Sequence, residues 1–185
     1  MLKIIPAVIL LAVFNVACAQ DTAGLNCAYA EKVTYHLPAL ENATYLSEAK
    51  GVDPDSQEET ITHTIQYANG DTAILEQKYC SMYNFQLSYK IKKLNRTNFE
   101  HSLNNIDKLI RDVQQDYKLK APLKDVVDMT MNQRGLSIDS AFSYDLPAQA
   151  AKSSERVEQT ISFAPHGRNG SFDAEIEFYF GLGGE

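Results

Sequence analysis

Chemistry requires particular side chains at particular spacings, and the inventory here is thin. Four histidines, His36, His63, His101 and His166, are scattered with no i, i+2 or i, i+4 pair and no closely spaced cysteine pair beside them. No local zinc motif and no other metal site is readable. His63 shares an alternating face with Ile61 and Ile65 and reads as a hydrogen-bonded core histidine, and His166 falls in a turn. A serine nucleophile on an elbow needs Gly-x-Ser-x-Gly, whereas Gly167-Arg168-Asn169-Gly170-Ser171 places its serine after the glycines and reads as a turn. A phosphate loop needs glycines between a strand and a helix, and Gly181, Gly183 and Gly184 read instead as a frayed tail. The sequence calls for no cofactor.

Two acidic features remain. Asp53, Asp55, Glu58 and Glu59 lack the spaced ligands and central glycine of an EF-hand and read as a solvated loop. Asp173, Glu175 and Glu177 alternate with Phe172, Ala174, Ile176 and Phe178, which puts the three carboxylates on one face of a strand. Such a stripe is either a solvent-facing ladder matched by Lys90 and Lys92 or a docking surface for a cationic protein or peptide. Tyr79, Tyr83, Phe85 and Tyr89, grouped around Cys80 with Met82, fit a core better than a binding surface.

The first nineteen residues read as an address. Lys3 is followed by an unbroken apolar run over 4–14 and by small residues at Ala17 and Ala19, the pattern of a secretory signal peptide over 1–19 cut after Ala19. Eleven apolar residues at 1.5 Å each cover about 16 Å, short of a hydrocarbon core of about 30 Å, so a transmembrane anchor is disfavoured. Val16-Ala17-Cys18 also resembles the end of a lipobox, which would make Cys18 a lipid anchor, although Asn15 stands where that motif prefers Leu. Either route leads outside the cytoplasm, to the periplasm or beyond. Removal of the leader leaves Cys27 and Cys80, which an oxidising compartment would join in a disulfide, with two free buried thiols as the alternative. The sequence Asn-x-Ser/Thr at Asn42, Asn95 and Asn169 would matter only in a glycosylating host.

These residues need elements to hold them. A short strand is expected over 31–37, then a long loop over 39–57, part of which, 38–50, could be a helix. Clean alternation over 58–67, Asn69-Gly70 and a return over 73–80 predict a hairpin, and 83–92 a further strand. The period then changes: Phe99, Leu103, Ile106, Ile110, Val113 and Tyr117 make one helical stripe over 98–118, with Thr97 and Glu100 as a capping box. Pro122 opens a second helix that Gly135 closes, a strand in which Leu136, Ile138, Phe142 and Tyr144 alternate runs from 136 to Pro147, and 148–154 is a linker or one helical turn. Strands over 156–164 and 171–180 form a terminal hairpin. The expected fold is one α+β domain over 20–185: an antiparallel sheet of about six or seven strands with four strands, two helices and three strands in order, its apolar face on the helices.

Length and charge set the remaining bounds. The 185 residues carry 17 basic and 24 acidic side chains, a net charge of −7 that becomes −8 without Lys3. No basic field condenses on phosphate, which argues against nucleic acid as a partner. With catalytic constellations missing and an amphipathic sheet expected, the leading function is an exported, non-catalytic domain binding a protein, peptide or envelope component through its polar sheet face or long loop. The alternatives are a hydrolase using dispersed carboxylates such as Asp139 and Glu175, and a carrier of a small apolar ligand beneath Phe99 and Ile106.

Overall fold

The computed structural model describes residues 27, 29–34, 37, 40, 42–113, 122–146, 155–166 and 170–184. The leader at 1–19, the chain as far as 26 and the linker at 148–154 lie outside them. The α+β class is found. Seven strands, β1 (Ala43–Val52), β2 (Glu59–Tyr67), β3 (Thr72–Tyr79), β4 (Tyr83–Ile91), β5 (Phe142–Asp145), β6 (Glu155–Pro165) and β7 (Ala174–Gly184), form one antiparallel sheet in the order β1-β2-β3-β4-β7-β6-β5. Helices α1 (Arg96–Val113) and α2 (Leu123–Arg134) connect β4 to β5.

Alternation does the sorting. On β2, β3 and β4, Ile61, His63, Ile65, Leu75, Phe85, Leu87 and Tyr89 are buried, while the residues alternating with them are half-buried or exposed. The helical stripe Phe99, Leu103, Ile106, Ile110 and Val113 is buried against that face, and Phe99 meets Phe163 of β6 edge-on at 5.0 Å. Tyr117 lies outside the described residues. Burial pushes the phenols of Tyr67, Tyr83 and Tyr89 well above the ordinary tyrosine range.

Several expectations need correction. Among the described residues of 31–37 none lies in a strand: Ala30–Lys32 is a 3-10 turn, and Val33 and Leu37 are buried in the core instead of joining the sheet. Thr34 is held there by Gln77, whose Oε1 accepts the Thr34 N–H (3.0 Å) and whose Nε2 donates to the Thr34 carbonyl (2.9 Å). A buried amide thus takes the place of a neighbouring strand. The loop expected over 39–57, with its possible helix, is largely β1; its alternation is hidden because Glu48 and Lys50 occupy the apolar-side row with Leu46 and Val52. Asn95, not a Thr97–Glu100 box, caps α1, accepting the Asn98 N–H at 2.9 Å, and Glu100 pairs with Arg96. The strand expected from 136 begins only at Phe142, because Leu136 completes the end of α2: its N–H reaches the Met131 carbonyl and that of Gly135 (φ 65°) reaches Asn132. Gly181, Gly183 and Gly184 are no frayed tail but the last residues of β7, paired with Glu158, Arg156 and Glu155.

Two restraints fix the left half of the sheet. Cys27 and Cys80 form a disulfide across 53 residues of sequence. In the β1–β2 turn, Asp53 accepts the N–H groups of Asp55 and Ser56 and the Nζ of Lys78 on β3 at 2.7 Å. The Lys78 hydrogen bond, followed by those from the backbone, holds the Asp53 carboxyl far below its ordinary range.

Each restraint generates a prediction. Cys27→Ser removes a closed loop that the chain-entropy model values at about 4 kcal/mol as an upper figure, so urea unfolding should show a loss of about 2 to 4 kcal/mol. For Asp53, a carboxyl more acidic in the folded than in the unfolded chain adds stability above the unfolded pKa, and that stability is lost as pH falls through the folded value. Urea midpoints measured from about pH 6 down to about pH 2 should therefore fall less steeply in Asp53→Asn than in the parent.

Candidate functional site

The face of the sheet away from the helices carries Thr60, Thr62, Thr64, Glu76, Gln86, Ser88, Lys90, Glu175, Glu177, Thr160 and Ser162. Within this polar field, the outward row of β7 reads Glu175, Glu177, Tyr179, Gly181, Gly183. Acids occupy one half, an aromatic residue the middle, and bare backbone the other half.

The bare half forms a trough of about 290 Å³. Register sets its walls: Asn84 of β4 and Glu158 of β6 lie either side of Gly181, and Arg156 lies opposite Gly183. Met82, 50% exposed, leans over the end, its Sδ 3.5 Å from where a Gly183 Cβ would sit. Tyr179 lies along its own strand with its hydroxyl 2.7 Å from the position of a Gly181 Cβ, so the ring covers that glycine. Burial there, then the charges of Glu158 and Glu58, hold the Tyr179 phenol above its ordinary pKa. Arg156 and Glu158 pair at 2.8 Å, and both also line a second, more polar hollow of about 440 Å³ shared with Asp145 and Thr160. The site thus offers an apolar floor, an aromatic and a thioether wall, and charge of both signs at its rim. These are binding features.

The acidic stripe divides. Asp173 precedes β7; its carboxylate accepts the Leu94 N–H at 3.0 Å and its N–H donates to the Ile91 carbonyl, so it fastens the exit of β4. Glu175 accepts a hydrogen bond from Ser88, lies 3.5 Å from the His166 ring and stands opposite Lys90. Glu177 is exposed, between Ser88 and Ser162 in register. Of the two lysines expected to match the stripe, Lys90 does so, while Lys92 donates to the Ser171 carbonyl and lies over the Phe172 ring. The trough itself is absent from the sequence reading. The signal was available: three glycines on a strand whose other face is Phe178, Phe180 and Leu182 mark a close approach, not a tail.

The remaining candidates are placed as follows. His63 is 1% exposed, with Nε2 3.2 Å from Glu48 Oε2 and no described partner for Nδ1. Tyr79, Tyr83, Phe85 and Tyr89 are core. Asp139 is exposed in the turn after α2, whereas Glu175 lies on β7 with the partners just named. Phe99 and Ile106 are packed to zero exposure. Among the described residues no group of three His, Cys, Asp or Glu is placed to hold a metal, and no helix is long and apolar enough to cross a membrane.

The two floor glycines should respond differently to a methyl group. Gly183→Ala meets only ordinary contact with Met82 and relieves glycine's chain entropy, so it should raise stability by up to about 1 kcal/mol in urea unfolding. Gly181→Ala must drive the Tyr179 hydroxyl away, and a phenol titration should then show Tyr179 returning toward its ordinary pKa. No protein-family model, no curated protein and no solved structure matches this chain.

Proposed function

We propose that this protein is an exported, non-catalytic binding domain whose wet sheet face takes a basic peptide or protein segment bearing an apolar or aromatic side chain. The observation that carries this reading is the outward row of β7, where Glu175 and Glu177 lead through Tyr179 onto the bare floor at Gly181 and Gly183. An extended peptide spaces same-side residues about 7 Å apart, as β7 does, so a cationic side chain can sit over Glu177 while an apolar one occupies the trough. Asp173 contributes to the negative field while its carboxylate secures the loop. Electrostatic attraction sets orientation and on-rate, and the filled trough supplies the apolar contact.

Export is supported by the leader-like residues 1–19 and by the disulfide, which suits an oxidising compartment. Cleavage after Ala19 would release a soluble protein, and acylation of Cys18 would hold the same domain on a membrane.

The test is titration of the isotope-labelled protein with two pentapeptides, Lys-Ala-Lys-Ala-Phe and Glu-Ala-Glu-Ala-Phe, whose charged and aromatic side chains fall on one side when extended. The basic peptide should shift amide resonances of 82–84, 156–158 and 177–183, more strongly at low salt, and the acidic one should not. Gly183→Val, which fills the floor, and Glu177→Lys, which reverses the most exposed acid, should each weaken binding by roughly tenfold, about 1.4 kcal/mol. Equal response to both peptides, or shifts confined to other parts of the sheet, would remove the proposal.

A further inference from the structure

The two edges of the sheet are unlike. β5 is four residues long, a blunted edge of the kind that resists pairing. β1 has ten residues and no proline, and after an irregularity at Ala43/Tyr45 it pairs regularly with β2 as far as Val52. Among the described residues no strand lies on its outer side. Leu46 (45% exposed) and Val52 (56%) lie on its apolar-side row, where they extend the face formed by Ile61, His63 and Ile65 beyond the last strand.

That row reads Leu46, Glu48, Lys50, Val52, and it is complementary to itself in reverse. A two-fold axis perpendicular to the sheet lays a second β1 antiparallel to the first and keeps the faces aligned. Centred on Ala49, it sets Leu46 opposite Val52 of the second copy, and Glu48 opposite Lys50, with each pairing repeated by symmetry. Glu48 and Lys50 already approach to 3.7 Å within one chain, so the four charges form an alternating square. Centring on Glu48 instead opposes Glu48 to itself and Leu46 to Lys50, and centring on Lys50 opposes Lys50 to itself and Glu48 to Val52. A slip of a single residue turns the row to the opposite face. One register alone matches apolar to apolar and acid to base.

We propose that β1 is a homodimer edge, joining two copies through a β1–β1 ladder centred on Ala49 into one continuous fourteen-stranded sheet with both helix pairs on the same side. The inference is independent of the trough, which lies on the opposite face of the sheet among β4, β7 and β6.

Sedimentation velocity of the disulfide-bonded protein should show a reversible monomer–dimer equilibrium. Lys50→Glu, which sets acids against acids, should leave monomer, and Glu48→Lys combined with Lys50→Glu should restore the dimer by exchanging the signs. Because Glu48 also holds His63, a cross-linking test stands beside the charge swap. Ala49→Cys faces its own copy across the axis, at a Cα separation of about 4.5 to 5.5 Å that a disulfide can bridge, whereas Ser47→Cys faces Gly51. Air oxidation should give a covalent dimer from Ala49→Cys and little from Ser47→Cys. A parent protein that stays monomeric up to about 1 mM, a concentration at which even weak association would register, overturns the proposal. So does equal cross-linking of the two cysteine variants.

Discussion

The ladder between β4 and β7 is the constraint on which the rest of the structure depends. The chain leaves β4 at the middle of the sheet, crosses the apolar face as α1 and α2, starts again at the far edge with β5, and works back inward through β6 until β7 docks on β4. No turn specifies that last contact, because its partners are distant in sequence. It is held by side chains: Phe85 stacks on Phe180 at 5.1 Å and on Phe178 at 5.8 Å, and Ala174, Ile176, Phe178, Phe180 and Leu182 are all buried. Without it there are two meanders, each with an exposed apolar face, and α1 would span no common surface. Such non-local pairing must overcome loop-closure entropy before any contact rewards it, which makes this ladder the slow step expected in folding.

The sequence was legible where one face of an element is uniformly buried. β4 and α1 each carry an unbroken apolar row at the period of their own geometry, β2 and β3 carry rows interrupted only by His63 and Gln77, and their types and approximate bounds follow from these rows. β1 escaped because it sits at an edge beyond the helices, where Glu48 and Lys50 can occupy the row that Ile61 and Ile65 occupy one strand further in. Periodicity reports burial, so an element buried on neither face leaves no periodic trace. The opposite error befell 31–37, whose apolar residues Val33 and Leu37 are buried without any strand to hold them. There the backbone is satisfied by the Gln77 side chain, a long-range contact that no local pattern announces.

The trough shows why a candidate site can be harder to read than a fold. Its floor consists of absent side chains, and what makes the absence meaningful is the flanking strands, which the register alone supplies. Bare glycines in a strand interior weaken it, yet β7 is paired on both sides as far as Leu182 and with β6 to its end, and Tyr179 lies across Gly181 to cover the backbone. That ring has two roles with one geometry: it shields the ladder and forms the wall beside the empty floor. The acids just before and at the start of that strand follow the same economy. Asp173 and Glu175 bond to neighbours within the fold, so the negative field they create outward comes from groups already fixed in place.

The few polar groups within the buried face mark the places where the chain must choose one arrangement among many apolar ones. Gln77 receives the segment around Thr34 and also the Tyr83 hydroxyl. Asp71, 1% exposed, accepts the Asn69 side chain, the Lys92 N–H and the Tyr89 hydroxyl, which ties the β2–β3 turn to the end of β4, and Asn105 of α1 reaches the same Tyr89 oxygen. His63 engages Glu48 and so ties the edge strand to its neighbour. A leucine at any of these sites would gain as much burial in several registers, whereas a buried amide, carboxylate or imidazole is satisfied only where its partners converge. Each of the three lies at a junction that aromatic packing leaves undetermined: terminal segment to sheet, turn to helix, edge strand to interior.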